Sequence, residues 1–213
     1  MATKKSSLQD RILDTALEQA EASSWEQLRL HTVAETLGIS LDDIRQHYPE
    51  KDDLVEAWFD RADRALLGGD RPSDFPDRSL PERLHHVISS WLDALAPHRR
   101  LSRQMLAYKL EFGHVHLQAL GLMRISRTVQ WFMEAAHYDR TGLQRIFDEC
   151  ALTTIYLTSF ARWLFDDSEY GMKSKEALKS ALRQWHAYSC QNRGCAGETT
   201  VTEPEPEQPQ PDT

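Results

Sequence analysis

The chain has 213 residues, 40% hydrophobic and 27% charged, with a mean hydropathy of −0.58. That balance describes a soluble globular protein of one large or two small domains. No run approaches the roughly 18 uninterrupted apolar residues of a membrane span, and residues 1–7 lead into an amphipathic pattern instead of an apolar signal core. The expectation is a cytoplasmic protein with no membrane insertion. Three cysteines, Cys150, Cys190 and Cys195, make no disulfide framework in a chain of this length, which fits a reducing compartment. The net charge of −8 is unevenly spread: −7 over residues 1–60, +3 over 61–190 and −4 over 191–213.

Leu8, Ile12, Leu13, Ala16, Leu17 and Ala20 repeat at helical spacing and predict a first helix. Leu30, Val33, Ala34 and Leu37 predict a short second one, ended by Gly38, with Ile39 as a buried plug. Ser40, with Asp43 three residues on, caps a third helix that turns Ile44 and Tyr48 inward, and Pro49 stops it. Pro49 also suits the first turn of a fourth helix carrying Leu54, Val55, Trp58, Phe59, Ala62 and Leu66.

Residues 68–79 combine glycine, proline and charge without apolar period and mark a linker. Beyond it Ser79 and Glu82 form a second capping box, opening a helix with Leu84, Val87, Ile88, Trp91, Leu92 and Leu95 on one face. Further helices are expected at about 98–112, 115–138 with a break near Gly121, 143–165 and 173–188, with no competing strand pattern. Residues 191–213, acidic and proline-rich, hold too little apolar surface to order themselves.

Two short helices joined by a tight glycine turn have the size and spacing of a helix-turn-helix. With Ile12-Leu13-Asp14-Thr15-Ala16-Leu17, Trp25, Val33-Ala34, Gly38-Ile39-Ser40, Ile44 and His47-Tyr48-Pro49 followed by Lys51 and Leu54, the chain resembles the TetR family of bacterial transcription regulators. The resemblance covers about residues 8–66 closely and the rest more loosely, through Ile155-Tyr156-Leu157 and Trp163 to Ser168. It implies an all-α fold in which a three-helix head (1–50) and a connecting helix (51–67) lead to a larger helical body (80–190). The body would bind a small, apolar effector and form a homodimer through its last two long helices. The partner would be a palindromic double-stranded DNA operator, and the activity that of a repressor.

Carried over residue by residue, the DNA-facing set is Ser40, Leu41, Asp42, Asp43, Arg45, Gln46, His47, Tyr48 and Lys51. Arg45 and Gln46 have donor geometries that suit guanine and adenine edges, and Lys51 would meet a phosphate, or else stand solvated among Glu50, Asp52 and Asp53. The chain departs from the family at Asp42 and Asp43, where small residues or lysine are usual, and at Arg29, where a serine or threonine usually caps the second helix. Both aspartates also suit the first turn of a helix, where negative charge is stabilising by about 0.3–1 kcal/mol.

The TetR fold also serves, without DNA, in the lipid-binding accessory protein of coenzyme Q biosynthesis. Residues 131–182 resemble that protein too, particularly at Tyr156 and Asp166-Asp167-Ser168. The alternative is therefore a lipid carrier with a degenerate head.

Candidate pocket residues are Trp91, Met105, Tyr108, Phe112, Arg127, Trp131 and Tyr156, large side chains that either fill the core or line an apolar cavity between helices. Arg103, Arg124 and Arg127 would supply the charge a ligand carboxylate needs, or stand on solvated faces. The pairs His85-His86 and His114-x-His116 point to different helix faces, unlike i, i+4 chelating pairs, so no metal is expected. No nucleophile–base order or phosphate-cradling loop is present in a strand-to-helix context, so neither catalysis nor a cofactor is expected.

Overall fold

The computed structural model describes residues 7–69, 71–110 and 115–191, with side chains for all of these except 110 and 115–122. The expected tail beyond 191, together with Phe112, His114, the side chain of His116 and Cys195, lies outside what is described. Every regular element among the described residues is helical.

Helix α1 (Leu8–Ala22) starts at Ser7, whose hydroxyl accepts from the Asp10 amide at 3.1 Å, and buries Ile12, Leu13, Ala16, Leu17 and Ala20. A turn carrying buried Trp25 and Leu28 leads to α2 (Leu30–Leu37), whose N-cap Arg29 makes no side-chain cap bond. Then come α3 (Leu41–His47) and α4 (Lys51–Gly68). Glu50 and Asp53 close a capping box at the start of α4, so Pro49 precedes the cap instead of occupying the first helical turn. Ile39 is half-buried against the core rather than fully plugged into it.

Within the expected 68–79 linker, one residue is anchored. The 3₁₀ turn Phe75–Asp77 buries Phe75 against His86 and His137, with ring centroids 5.5 and 5.8 Å apart. Proline and charge mask this one aromatic anchor in the sequence.

The body begins with α5 (Leu80–Leu95), opened by the expected Ser79–Glu82 box, in which the Glu82 carboxylate accepts from the Ser79 amide and hydroxyl. Helix α5 is central, touching α4, α7, α8 and α9, which is why Leu84, Val87, Ile88, Trp91, Leu92 and Leu95 are all buried. Around it lie α6 (Arg99–Leu110), α7 (Val115–Ala135), α8 (Gly142–Leu164) and α9 (Met172–Gln191). Helix α7 runs through Gly121 without the expected break, since one glycine inside a helix costs only about 1 kcal/mol.

Helices α8 and α9 meet at a corner held by Asp166, whose carboxylate accepts from the Ser168 amide and hydroxyl and from the Ser174 amide, at 2.6–2.9 Å. Desolvation opposes its ionisation, but those bonds win and hold the carboxyl well below the usual range.

One contiguous core runs from Ile12 to Leu182, across the connecting helix and the linker. Polar ties reinforce it: the Trp25 amide donates to Gln104 Oε1 at 2.7 Å, and Arg100 pairs with Glu21 at 3.0 Å.

Candidate nucleic-acid interface and effector cavity

The α2–α3 turn is set by backbone geometry. Gly38 sits at φ 64°, a left-handed conformation that costs glycine little, and the amide of Ile39 returns to Ala34 O at 3.1 Å. Ser40 and Asp43 then cap α3 reciprocally: Ser40 Oγ accepts from the Asp43 amide at 3.1 Å, and Asp43 Oδ2 accepts from the Ser40 amide and hydroxyl at 2.8 and 2.7 Å. Hydrogen bonds from Ser40 lower the Asp43 pKa, so the carboxylate is committed to the cap.

Asp42 faces outward and holds its neighbours. Its Oδ2 accepts from Gln46 Nε2 at 3.0 Å, and its Oδ1 lies 3.7 Å from Arg45 Nε. Ser40, Leu41, Asp42, Arg45, Gln46 and His47 form one exposed rim.

Tyr48 and Lys51 are placed differently. Tyr48 is buried, its hydroxyl donating to Gln9 O of α1 at 3.1 Å, and burial pushes its pKa up to about 12. Lys51 Nζ donates to Trp25 O at 2.6 Å, Leu28 O at 3.1 Å and Glu26 O at 3.4 Å, and stands 5.1 Å from the centre of the Trp25 ring. Burial lowers its pKa. The carbonyls of the turn before α2 lie outside a helix ladder, and this ammonium shares them with the Leu28 amide and the Arg29 guanidinium. The Lys51 protons are directed into the head instead of towards a phosphate or solvent, a role set by a turn 23–26 residues away that local sequence cannot reveal.

A cavity of about 640 Å³ opens between α4, α5, α6, α7 and α8, with Phe59, Trp91, Tyr156, Leu157, Phe160 and Phe165 among its walls. Of the expected pocket residues, it brings together Trp91 and Tyr156, whose ring centroids are 5.5 Å apart. Met105 is fully buried in the core and Tyr108 packs half-buried against it. Arg127 and Trp131 line a separate cleft of about 360 Å³ beside α1 and α4. Sequence spacing identifies large residues but not which side of α7 faces inward.

Through Glu56 the cavity meets an ion-pair network. Asp52, Glu56, Asp60 and Asp63 form a ladder along α4, gripped by cations from the body. Lys109 of α6 pairs with Glu56 and lies 3.1 Å from Asp52 Oδ2. Arg124 of α7 reaches Glu56 at 3.1 Å, Asp60 at 2.6 Å and Asp63 at 2.9 Å. Asp63 also accepts from Trp91 Nε1 at 2.7 Å and from Thr128 Oγ1 at 3.4 Å. Burial raises the Asp63 pKa despite Arg124. Arg124 would itself be lowered by burial but is raised by the three carboxylates around it. This network escaped the sequence reading, although Asp52, Glu56, Asp60 and Asp63, three or four residues apart along one face of α4, were a usable signal.

On α8, Leu143, Ile146 and Phe147 stand exposed at helical spacing, while Leu157 and Phe165, just past the end of α8, are exposed at the cavity wall. Among the described residues no cluster of histidine, cysteine or acidic side chains is arranged to hold a metal, and no helix is long and apolar enough to cross a membrane.

The chain is similar to the solved structure of a TetR transcriptional regulator from Nitrosomonas europaea ATCC 19718, at 45% identity over 83% of this chain and 97% of that one, with a TM-score of 0.74. The chain belongs to the TetR family of transcriptional regulators. A TetR transcriptional regulator from Rhodococcus sp. RHA1 shares the fold at 19% identity, covering 82% of this chain and 93% of that one, with a TM-score of 0.62. No family profile matches the chain, and no curated protein does.

Proposed function

We propose that this TetR-family regulator is a ligand-responsive repressor. Residues 1–50 form its DNA-binding head, 51–67 the connecting helix and 80–190 the effector-binding and dimerisation body. As a homodimer it would set two α3 helices roughly 34–36 Å apart in successive major grooves of a palindromic operator. The exposed Arg45 and Gln46 would read base edges, Ser40, Leu41, Asp42 and His47 would border the contact, and Asp43 would support it as a cap. The apolar stripe on α8, with Met172 and Tyr188 exposed on α9, supports dimerisation through these two helices.

The observation that carries this reading is shared geometry: Glu56, Lys109 and Arg124 belong both to the cavity wall and to the ion pairs holding α4. A molecule in the cavity touches the helix that leaves the head. An effector binding one α4 position better than another shifts the head spacing, and operator affinity falls by that difference in preference.

One set of observations favours the lipid-carrier reading: residues 1–60 carry −7, and Lys51 and Tyr48 point inward. Binding of the purified protein to its own upstream DNA, measured by fluorescence anisotropy at two salt concentrations, separates the two. Saturable, sequence-dependent binding lost on Arg45→Ala supports the repressor. No binding at low salt, with a lipid co-purifying, supports the carrier.

A further inference from the structure

We propose that the cavity takes an apolar molecule ending in a carboxylate, which acts by drawing Lys109 and Arg124 away from Glu56 of α4. The proposal rests on the cavity being the effector site, and it names the ligand class and the bonds that respond.

The wall's charge selects the head group. Among the described residues, the charged side chains that line it are Arg103, Lys109 and Arg124, with the carboxylate of Glu56. A cationic head would be repelled by Arg103, while Lys109 and Arg124 are already paired with the α4 carboxylates. A neutral one would leave Arg103, which stands 5.3 Å over the Phe165 ring and has no carboxylate partner among the described residues, without an anion. Arg103 lies on the exposed side of α6, and Lys109 follows roughly 9 Å further along the helix, with its residue only 7% exposed. An anion therefore meets Arg103 first and the buried pair of cations after it.

The exchange is feasible because both cations stay partnered. Lys109 retains Asp52, and Arg124 retains Asp60 and Asp63, while the incoming carboxylate replaces Glu56. The displaced Glu56 side chain is 28% exposed and can turn to water, so no buried charge is stranded. The remaining walls, Phe59, Trp91, Tyr156 and Phe160, accept a hydrocarbon body, and each buried methylene adds about fourfold to affinity. Glu56 lies five residues from Lys51, which ties α4 to the turn before α2. Its release thus loosens the end of α4 that holds the head.

The test uses decanoate, decanol and decylamine, each titrated into the full-length protein with no DNA present. Binding is followed by calorimetry and by tryptophan fluorescence, to which Trp91 contributes. Decanoate is expected to bind at least about tenfold more tightly than decanol, with decylamine weakest. Glu56→Gln removes the competing carboxylate, so it should tighten decanoate and leave decanol unchanged. Decanol or decylamine binding as well as decanoate, no saturable binding by any of the three, or an unchanged decanoate affinity in Glu56→Gln would overturn the proposal. Decanoate selectivity in a protein that binds no DNA would keep the ligand class and remove the repressor.

Discussion

Replacing Arg124 with methionine keeps the bulk of the side chain and removes its charge from three carboxylates. Asp60 is half exposed, so its loss counts for little, but the Arg124 and Asp63 side chains are only 10% and 9% exposed. Stranding one member of such a buried pair costs about 3–5 kcal/mol at neutral pH. In a chain of this length that lowers Tm by roughly 6–20 °C. The deficit should also depend on pH. Burial already raises Asp63 above its unfolded value, and losing Arg124 raises it further. A carboxyl raised in the folded state contributes stability that is full below the unfolded pKa, about 3.9, and is lost as pH rises through the folded value. Arg124→Met should therefore be most damaging near pH 8 and recover towards pH 5 as Asp63 takes up a proton. Adding Asp63→Asn should recover stability at pH 8. Calorimetric melting at fixed protein concentration from pH 5 to 8 checks this. A deficit below about 1 kcal/mol, or one flat across that range, would refute the claim that the Arg124–Asp63 pair is desolvated.

Asp42→Asn should raise non-specific DNA affinity about two- to fivefold at low salt by freeing Arg45 from an exposed like-for-phosphate charge, measured by anisotropy on random duplex. Ser40→Ala, which removes the hydroxyl that accepts the Asp43 amide, should cost about 0.5–2 kcal/mol in urea unfolding. Phe147→Glu, in the exposed α8 stripe, should shift the protein towards monomer in sedimentation velocity while leaving its helical circular dichroism unchanged.

What the sequence made legible was local. The Ser40–Asp43 and Ser79–Glu82 boxes and the Gly38 turn follow from residues three or four apart, and the structure contains all three. Trp91 and Tyr156 were recognisable as large residues on inward faces, and both line the cavity. The non-local assignments did not follow. Lys51 meets carbonyls more than twenty residues earlier, and Lys109 reaches an acid on another helix. Arg127 and Trp131 share α7 with Arg124 but face the other cleft, because the rotation of α7 about its axis is decided by what it packs on. Phe59, Phe160 and Phe165 were equally visible as aromatics, and only the arrangement of five helices makes them walls of one space.

The core that runs unbroken from Ile12 to Leu182 bears on modular exchange. Grafting residues 1–50 onto another regulator's body would sever the Trp25–Gln104 and Glu21–Arg100 ties and the bonds from Lys51 to the turn before α2. A transplant that preserves operator choice must carry α4 together with its matching positions on α6 and α7. The unit to move is a recognition surface plus the charged seam beneath it, and a head cut at residue 50 would arrive without Lys51 and the α4 acids.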